Sequence, residues 1–135
     1  MIPVFADTLF WIAVINPLDQ WHENAIEAER GIEGRSLVAT ESVLLEGLNY
    51  FSGYGAESRD RAVRIAYRLL KRADVLILEQ TRAIFIEGVE RYQNPTDKGY
   101  SLTDCISMNA MQSLGITEVL THDRHFAQEG FLILM

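Results

Sequence analysis

Four acidic residues stand where apolar segments meet turns or helix starts: Asp7 after Val4-Phe5-Ala6, Glu46 inside Thr40-Glu41-Ser42-Val43-Leu44-Leu45-Glu46, Asp104 in Ser101-Leu102-Thr103-Asp104, and Asp123 after Leu120-Thr121-His122. Like charges gathered within a few ångströms raise one another's pKa, so such a cluster is costly unless a cation neutralises it. An all-oxygen donor set suits Mg²⁺ or Mn²⁺, which keep several waters and share a phosphate oxygen with a substrate. A site of this kind can activate water and stabilise charge on the attacking and leaving oxygens of an in-line displacement at phosphorus.

Each acid also has an ordinary explanation. Asp7 stands where an N-cap would, although apolar runs on both sides favour burial, and a buried charge needs a partner. Glu46 can be a solvated helix residue. Asp104 can be the acidic half of a cap, yet helical spacing puts it in line with Met108 and Met111. Asp123 lies in a polar turn, where Asp is common for backbone reasons. The chemical reading therefore rests on convergence of the four.

The elements that must position them alternate along the chain. Ile2 to Ala6 is a short apolar run with the character of a buried strand. Leu9 to Ile15 and Trp21 to Arg30 read as helices, broken by Asn16-Pro17-Leu18, and Gly31 and Gly34 end the second. Ser36 to Ala39 is a second strand. From Glu41 a helix places Val43, Leu44, Gly47, Leu48 and Phe51 on one face until Gly53 and Gly55 stop it. A helix from Ser58 to Arg72, a strand from Asp74 to Leu78 and a helix from Thr81 to about Tyr92 follow, ending at an Asn94-Pro95 turn. Ser101 to Asp104 reads as a capping box with Asp in the place usual for Glu, and Gly115 ends the helix it opens. Glu118 to Thr121 and Phe131 to Leu134 supply two more strands, with a loop at Asp123-Arg124-His125-Phe126 between them.

This order predicts an α/β domain whose mostly parallel sheet is covered by helices on both faces. Ligands of such sheets bind at the carboxyl edge of the strands. Asp7 and Asp123 follow strands there, and Glu46 and Asp104 are expected in the first turns of helices that begin near the same edge.

At 135 residues one domain, 1–135, is expected to bury a sufficient core. The net charge of −7 opposes tight polyanion binding through general electrostatics, unless metal neutralises several acids. The longest apolar stretch, Leu9 to Ile15, is too short to span a bilayer. The single cysteine, Cys105, has no partner for a disulfide or a zinc site and reads as a small core residue; with the missing membrane segment it favours a cytoplasmic location.

On these residues the chain resembles the PIN domain, and within that superfamily the VapC-type toxins of bacterial toxin-antitoxin pairs. The opening pattern of apolar strand, Asp, then Thr or Ser is met by Val4-Phe5-Ala6-Asp7-Thr8. Glu46 meets the second acid better than Glu41 does, and Ser101-Leu102-Thr103-Asp104-Cys105-Ile106 meets the third. Leu120-Thr121-His122-Asp123-Arg124-His125-Phe126, followed by Gly130-Phe131, is the most specific match. The resemblance implies a three-layer α/β/α sandwich with a five-stranded parallel sheet, Mg²⁺ or Mn²⁺ dependence, and endonucleolytic cleavage of RNA by Asp7, Glu46, Asp104 and Asp123. It further implies a homodimer, a small antitoxin whose tail blocks the acidic pocket, and site-shaping roles for Thr121 and Thr8.

Other features carry less. Arg61, Arg64, Arg68, Lys71 and Arg72 share one arc of a helix while Val63, Ala66, Tyr67 and Leu70 face away; the first three are candidate RNA contacts, although a solvated amphipathic face explains them as well. Trp11, Trp21, Tyr50, Phe51 and Tyr54 are expected to pack rather than to stack on bases. His22, His122 and His125 show no ligand spacing and are expected outside the site; His122 lies nearest, with its side chain expected to alternate away from that of Asp123. A Mg²⁺-dependent phosphatase wants a second Asp two residues after Asp7, where Leu9 stands. A dinucleotide binder wants a glycine-rich turn in place of Asp-Thr-Leu-Phe-Trp. A non-catalytic, metal-dependent interaction module is the remaining alternative.

Overall fold

The computed structural model describes residues 2–94 and 98–135, so Pro95 of the expected Asn94-Pro95 turn lies outside them. Five strands, β1 (Val4–Ala6), β2 (Leu37–Thr40), β3 (Val75–Leu78), β4 (Glu118–Leu120) and β5 (Leu132–Ile133), form one sheet in the order β3-β2-β1-β4-β5. Every pairing is parallel, with Val4 opposite Leu37, Phe5 opposite Val119 and Ala6 opposite Leu120. Among the described residues seven α-helices connect and cover the strands: α1 (Thr8–Ile15), α2 (His22–Gly31), α3 (Glu41–Tyr50), α4 (Ala56–Lys71), α5 (Arg82–Gln93), α6 (Leu102–Leu114) and α7 (Arg124–Gln128).

β1 and β2 are fully buried along their length, as continuous apolar runs in a doubly covered sheet must be. From β1 the chain winds outward to β2 and β3, then crosses to β4 and β5. Right-handed crossovers accordingly put α1 to α4 on one face and α5 to α7 on the other. The strand order reverses between β1 and β4, and that reversal opens the crevice in which open α/β sheets bind ligands. Asp7 and Thr121 immediately follow those two strands.

α1 is apolar nearly all round and buries Phe10, Trp11, Ile12, Ala13 and Ile15, which makes it a core element. α3 starts directly from β2: Thr40 ends the strand and its hydroxyl accepts the Val43 N–H (3.1 Å). Glu46, the sixth residue of α3, therefore sits in the second turn and not the first. α6 begins with the expected capping box and ends at Gly115, whose φ of 68° lies in the left-handed region open to glycine. α5 packs closely on α6 at Gly88, where a Cβ would come within 2.5 Å of Ile106.

Two further sequence expectations change. The segment after Asp123 is a short helix and not a loop, because the Asp123 carboxylate accepts the His125 N–H (2.9 Å) and nucleates a turn. On α4 the buried residues are Ala62 and Leu69, with Ile65 packed against the core, while Val63, Tyr67 and Leu70 are exposed. The buried stripe is rotated from the expected one, on the side of α4 that meets α1 and α3. Cys105 is buried, as expected.

Candidate active site

The crevice between β1 and β4 is built around Asp7. Its backbone N–H donates to the Leu120 carbonyl (3.1 Å), extending the ladder one step past the strands. The residue is only 2% exposed, and although it occupies the N-cap position of α1 its side chain makes no capping bond. Instead Oδ2 accepts a hydrogen bond from the fully buried Thr121 hydroxyl (2.8 Å). The same Thr121 oxygen accepts the Asp123 N–H (3.1 Å). One hydroxyl thus ties the acid after β1 to the backbone of the acid after β4. Thr8 is also buried, and its hydroxyl makes no hydrogen bond among the described residues.

Asp104 is held by its cap. Its N–H donates to Ser101 Oγ (3.0 Å), and its Oδ2 accepts the Ser101 N–H (3.1 Å). The capping explanation and the functional one describe the same buried carboxylate, since the box fixes its direction. Glu46 is half-buried on α3, which touches α6. It lines a cavity of about 340 Å³ with Ser42, Asn49, Phe85, Leu102 and Thr103.

The electrostatics report the convergence. Burial, foremost, pushes the Asp7 carboxyl up to about 7; the Thr121 hydrogen bond opposes this, and the charges of Asp104 and Glu46 add to it. Asp104 is also raised, first by burial and then by Asp123 and Glu46, against the lowering effect of the Ser101 N–H. Asp7 and Asp104 thus each feel the charges of acids carried by other elements.

Asp104, Asp123 and His125 each offer a ligand atom, and these atoms lie within 4.8 Å of one another. His125 Nδ1 is 3.3 Å from Asp123 Oδ1 and 3.6 Å from Asp104 Oδ2, so it belongs to the site from which the sequence excluded it. His122, whose side chain was expected to alternate away from that of Asp123, is not among these ligand groups; its ring stacks on Trp21, centroids 4.3 Å apart and planes 9° apart. The pattern Asp-x-His, with the Asp capping a turn, was the signal that would have found His125. Its carboxylates, its buried hydroxyl and the solvent-shielded Nδ1 suit a divalent cation with oxygen and nitrogen donors.

The basic arc contributes less than its pattern suggested. Arg61 donates to the Ile15 carbonyl (3.2 Å) at the end of α1 and pairs with Glu57, and Arg64 pairs with Asp60. Arg68 is exposed. Among the aromatics, Trp11 and Phe51 are buried, whereas Tyr50 and Tyr54 are exposed and hydrogen-bonded to each other.

No protein-family model and no curated protein matches the sequence. The structure is similar to the crystal structure of VapC20 from Mycobacterium tuberculosis, described as a sarcin-ricin loop cleaving toxin, with a TM-score of 0.84 and 23% identity over 96% of each chain. The likeness covers the sheet and its helices together, and the chain accordingly has the PIN-like α/β/α fold that its sequence implied.

Proposed function

We propose that this protein is a divalent-metal-dependent endoribonuclease that hydrolyses RNA phosphodiester bonds as the toxin of a toxin-antitoxin pair. The observation that carries the proposal is the meeting of Asp7, Glu46, Asp104 and Asp123 at the strand-order reversal, with Asp7 buried and its pKa pushed up to about 7. Burying carboxylates near one another costs stability, which supports a role in binding or catalysis. The description of VapC20 as a sarcin-ricin loop cleaving toxin supports such a cleavage activity on this fold.

Asp7, Glu46, Asp104 and Asp123 would hold Mg²⁺ or Mn²⁺. Bound there, the ion supplies charge to activate water and to stabilise the oxygens of an in-line displacement. Thr121 orients the Asp7 carboxylate through its hydroxyl and fixes the Asp123 backbone. Ser101 does the same for Asp104. Glu46 lines a cavity with Leu102 and Thr103, next in sequence to Asp104, and its volume is in the range of small-ligand sites. Thr8, next to Asp7 in sequence and buried, is the second residue proposed to shape the site.

Leu45 on α3 and Phe85 on α5 border this cavity, Leu45 also lines a second one with Leu48 and Leu70, and all four are exposed, which supports an antitoxin segment lying along this face. A homodimer in the cytoplasm belongs to the same proposal. The test is cleavage of a mixed cellular RNA pool by purified protein with Mg²⁺, with Mn²⁺ and with EDTA, beside the Asp104→Asn variant. Discrete cuts that need both metal and Asp104 are expected; absence of cutting under every condition overturns the proposal in favour of a binding module.

A further inference from the structure

His125 is held in the acid cluster by more than its own turn. Its ring packs against Tyr100, centroids 5.0 Å apart. The Tyr100 hydroxyl donates to Glu129 (2.9 Å), which also pairs with Arg91 (3.0 Å) and Lys98 (2.9 Å). This brace joins α5, the segment before α6 and the residue after α7, and it aims the imidazole at Asp104 and Asp123.

The contact it makes there is unusual. Nδ1 is sealed from solvent and lies 3.3 Å from Asp123 Oδ1 and 3.6 Å from Asp104 Oδ2, yet it forms no hydrogen bond among the described residues. Asp123 Oδ1 is already taken by the His125 backbone N–H, and Asp104 Oδ2 by the Ser101 N–H. Donors about 2.1 Å from an octahedral ion stand about 3 Å apart when adjacent and about 4 Å apart when opposite. His125 Nδ1 stands 3.3 and 3.6 Å from an oxygen of each acid, between those two spacings, and one ligand atom from each of the three residues lies within 4.8 Å of the others. Asp7 and Glu46 are not within that distance of all three.

We propose that His125 completes, with Asp104 and Asp123, a mixed nitrogen and oxygen site for one divalent transition-metal ion, and that its nitrogen makes the site favour Mn²⁺ over Mg²⁺. The inference deepens the proposed nuclease site, with which it shares two carboxylates. Mg²⁺ is a hard ion that takes oxygen donors, whereas imidazole raises the affinity of transition-series ions. Coordination through Nδ1 leaves the proton on Nε2, in keeping with the absence of a hydrogen bond at Nδ1.

The experiment loads the full-length protein with Mn²⁺ and reads electron spin-echo envelope modulation, without RNA. A nitrogen coupling is expected in the native protein, and its frequency should change when histidine alone is labelled with ¹⁵N, a readout that needs no variant. The coupling should persist in His122→Gln and vanish in His125→Gln, whose Mn²⁺ dissociation constant should rise about tenfold or more while that for Mg²⁺ moves less. No coupling in the native protein, or coupling that survives His125→Gln, overturns the assignment and leaves His125 as an ion-pair partner of the two acids. The nuclease proposal fails separately: a nitrogen coupling without RNA cleavage removes the activity and keeps the ligand, and metal-dependent cleavage without coupling does the reverse.

Discussion

The two ends of the β1–β4 ladder treat carboxylates in opposite ways. At the amino end Glu118 receives both terminal nitrogens of Arg35 (2.9 and 3.3 Å), and Arg35 also donates to the Ile2 carbonyl (2.9 Å). The Arg35 hydrogen bond and charge hold the Glu118 carboxyl below its usual range. A few residues on, past the carboxyl end, Asp7 and Asp104 are raised by burial and by other acids. The first arrangement is an acid that helps the fold. The second holds acids in a charge state that the fold disfavours, which is how binding and catalytic sites are built.

The largest expected effect breaks the carboxyl end alone. Asp7→Asn should lower metal-dependent RNA cleavage about a thousandfold, since several kcal/mol of charge stabilisation depend on an intact site. The metal-free variant should nonetheless melt at a higher temperature than the native protein at neutral pH, because a neutral amide avoids the burial penalty. A variant that cuts normally, or one that is less stable without metal, would contradict the contrast between the two ends.

The next effect is in pH. Asp7 binds its proton more tightly folded, at about 7, than its ordinary 3.8. Between those values the folded protein binds more protons than the unfolded chain, so stability of the metal-free protein falls as pH rises through that window. At about 1.4 kcal/mol per unit the loss from this group is on the order of 4 kcal/mol by neutral pH. Glu118 has the opposite sign: its lowered pKa contributes stability above its ordinary 4.5 that is lost on acidification. Denaturant titrations of the metal-free protein from pH 4 to pH 7.5 should show the falling slope, and Asp7→Asn should abolish most of it. Saturating Mn²⁺ should reverse it, since metal binds the ionised site.

The smallest effect breaks the amino end. Arg35→Met should reduce the melting temperature slightly, as expected for a partly exposed pair. Cleavage per folded molecule should stay unchanged; a loss comparable to that of Asp7→Asn would mean that the two ends are coupled through the ladder.

What the sequence by itself determined is the succession of elements and the four positions where acids close them. Apolar runs such as Val4-Phe5-Ala6, breakers such as Asn16-Pro17, and the Ser101 to Asp104 box are local features, and each acts within a few residues of itself. Parallel crossovers then leave the carboxyl ends of β1 and β4 side by side.

Direction, in contrast, was decided by tertiary structure. The rotation of α4 that buries Ala62 and Leu69 depends on its neighbours α1 and α3, because an amphipathic pattern with several apolar residues admits more than one contact stripe. His122 turns to Trp21 and His125 to the acids because the Asp123 cap makes a helical turn where the sequence suggested a loop, and the Tyr100–Glu129 brace comes from elsewhere in the chain. Thr121 meets Asp7 across 114 positions of sequence, through a single hydroxyl. Such contacts depend on ångström distances between elements, which packing sets and no periodicity encodes.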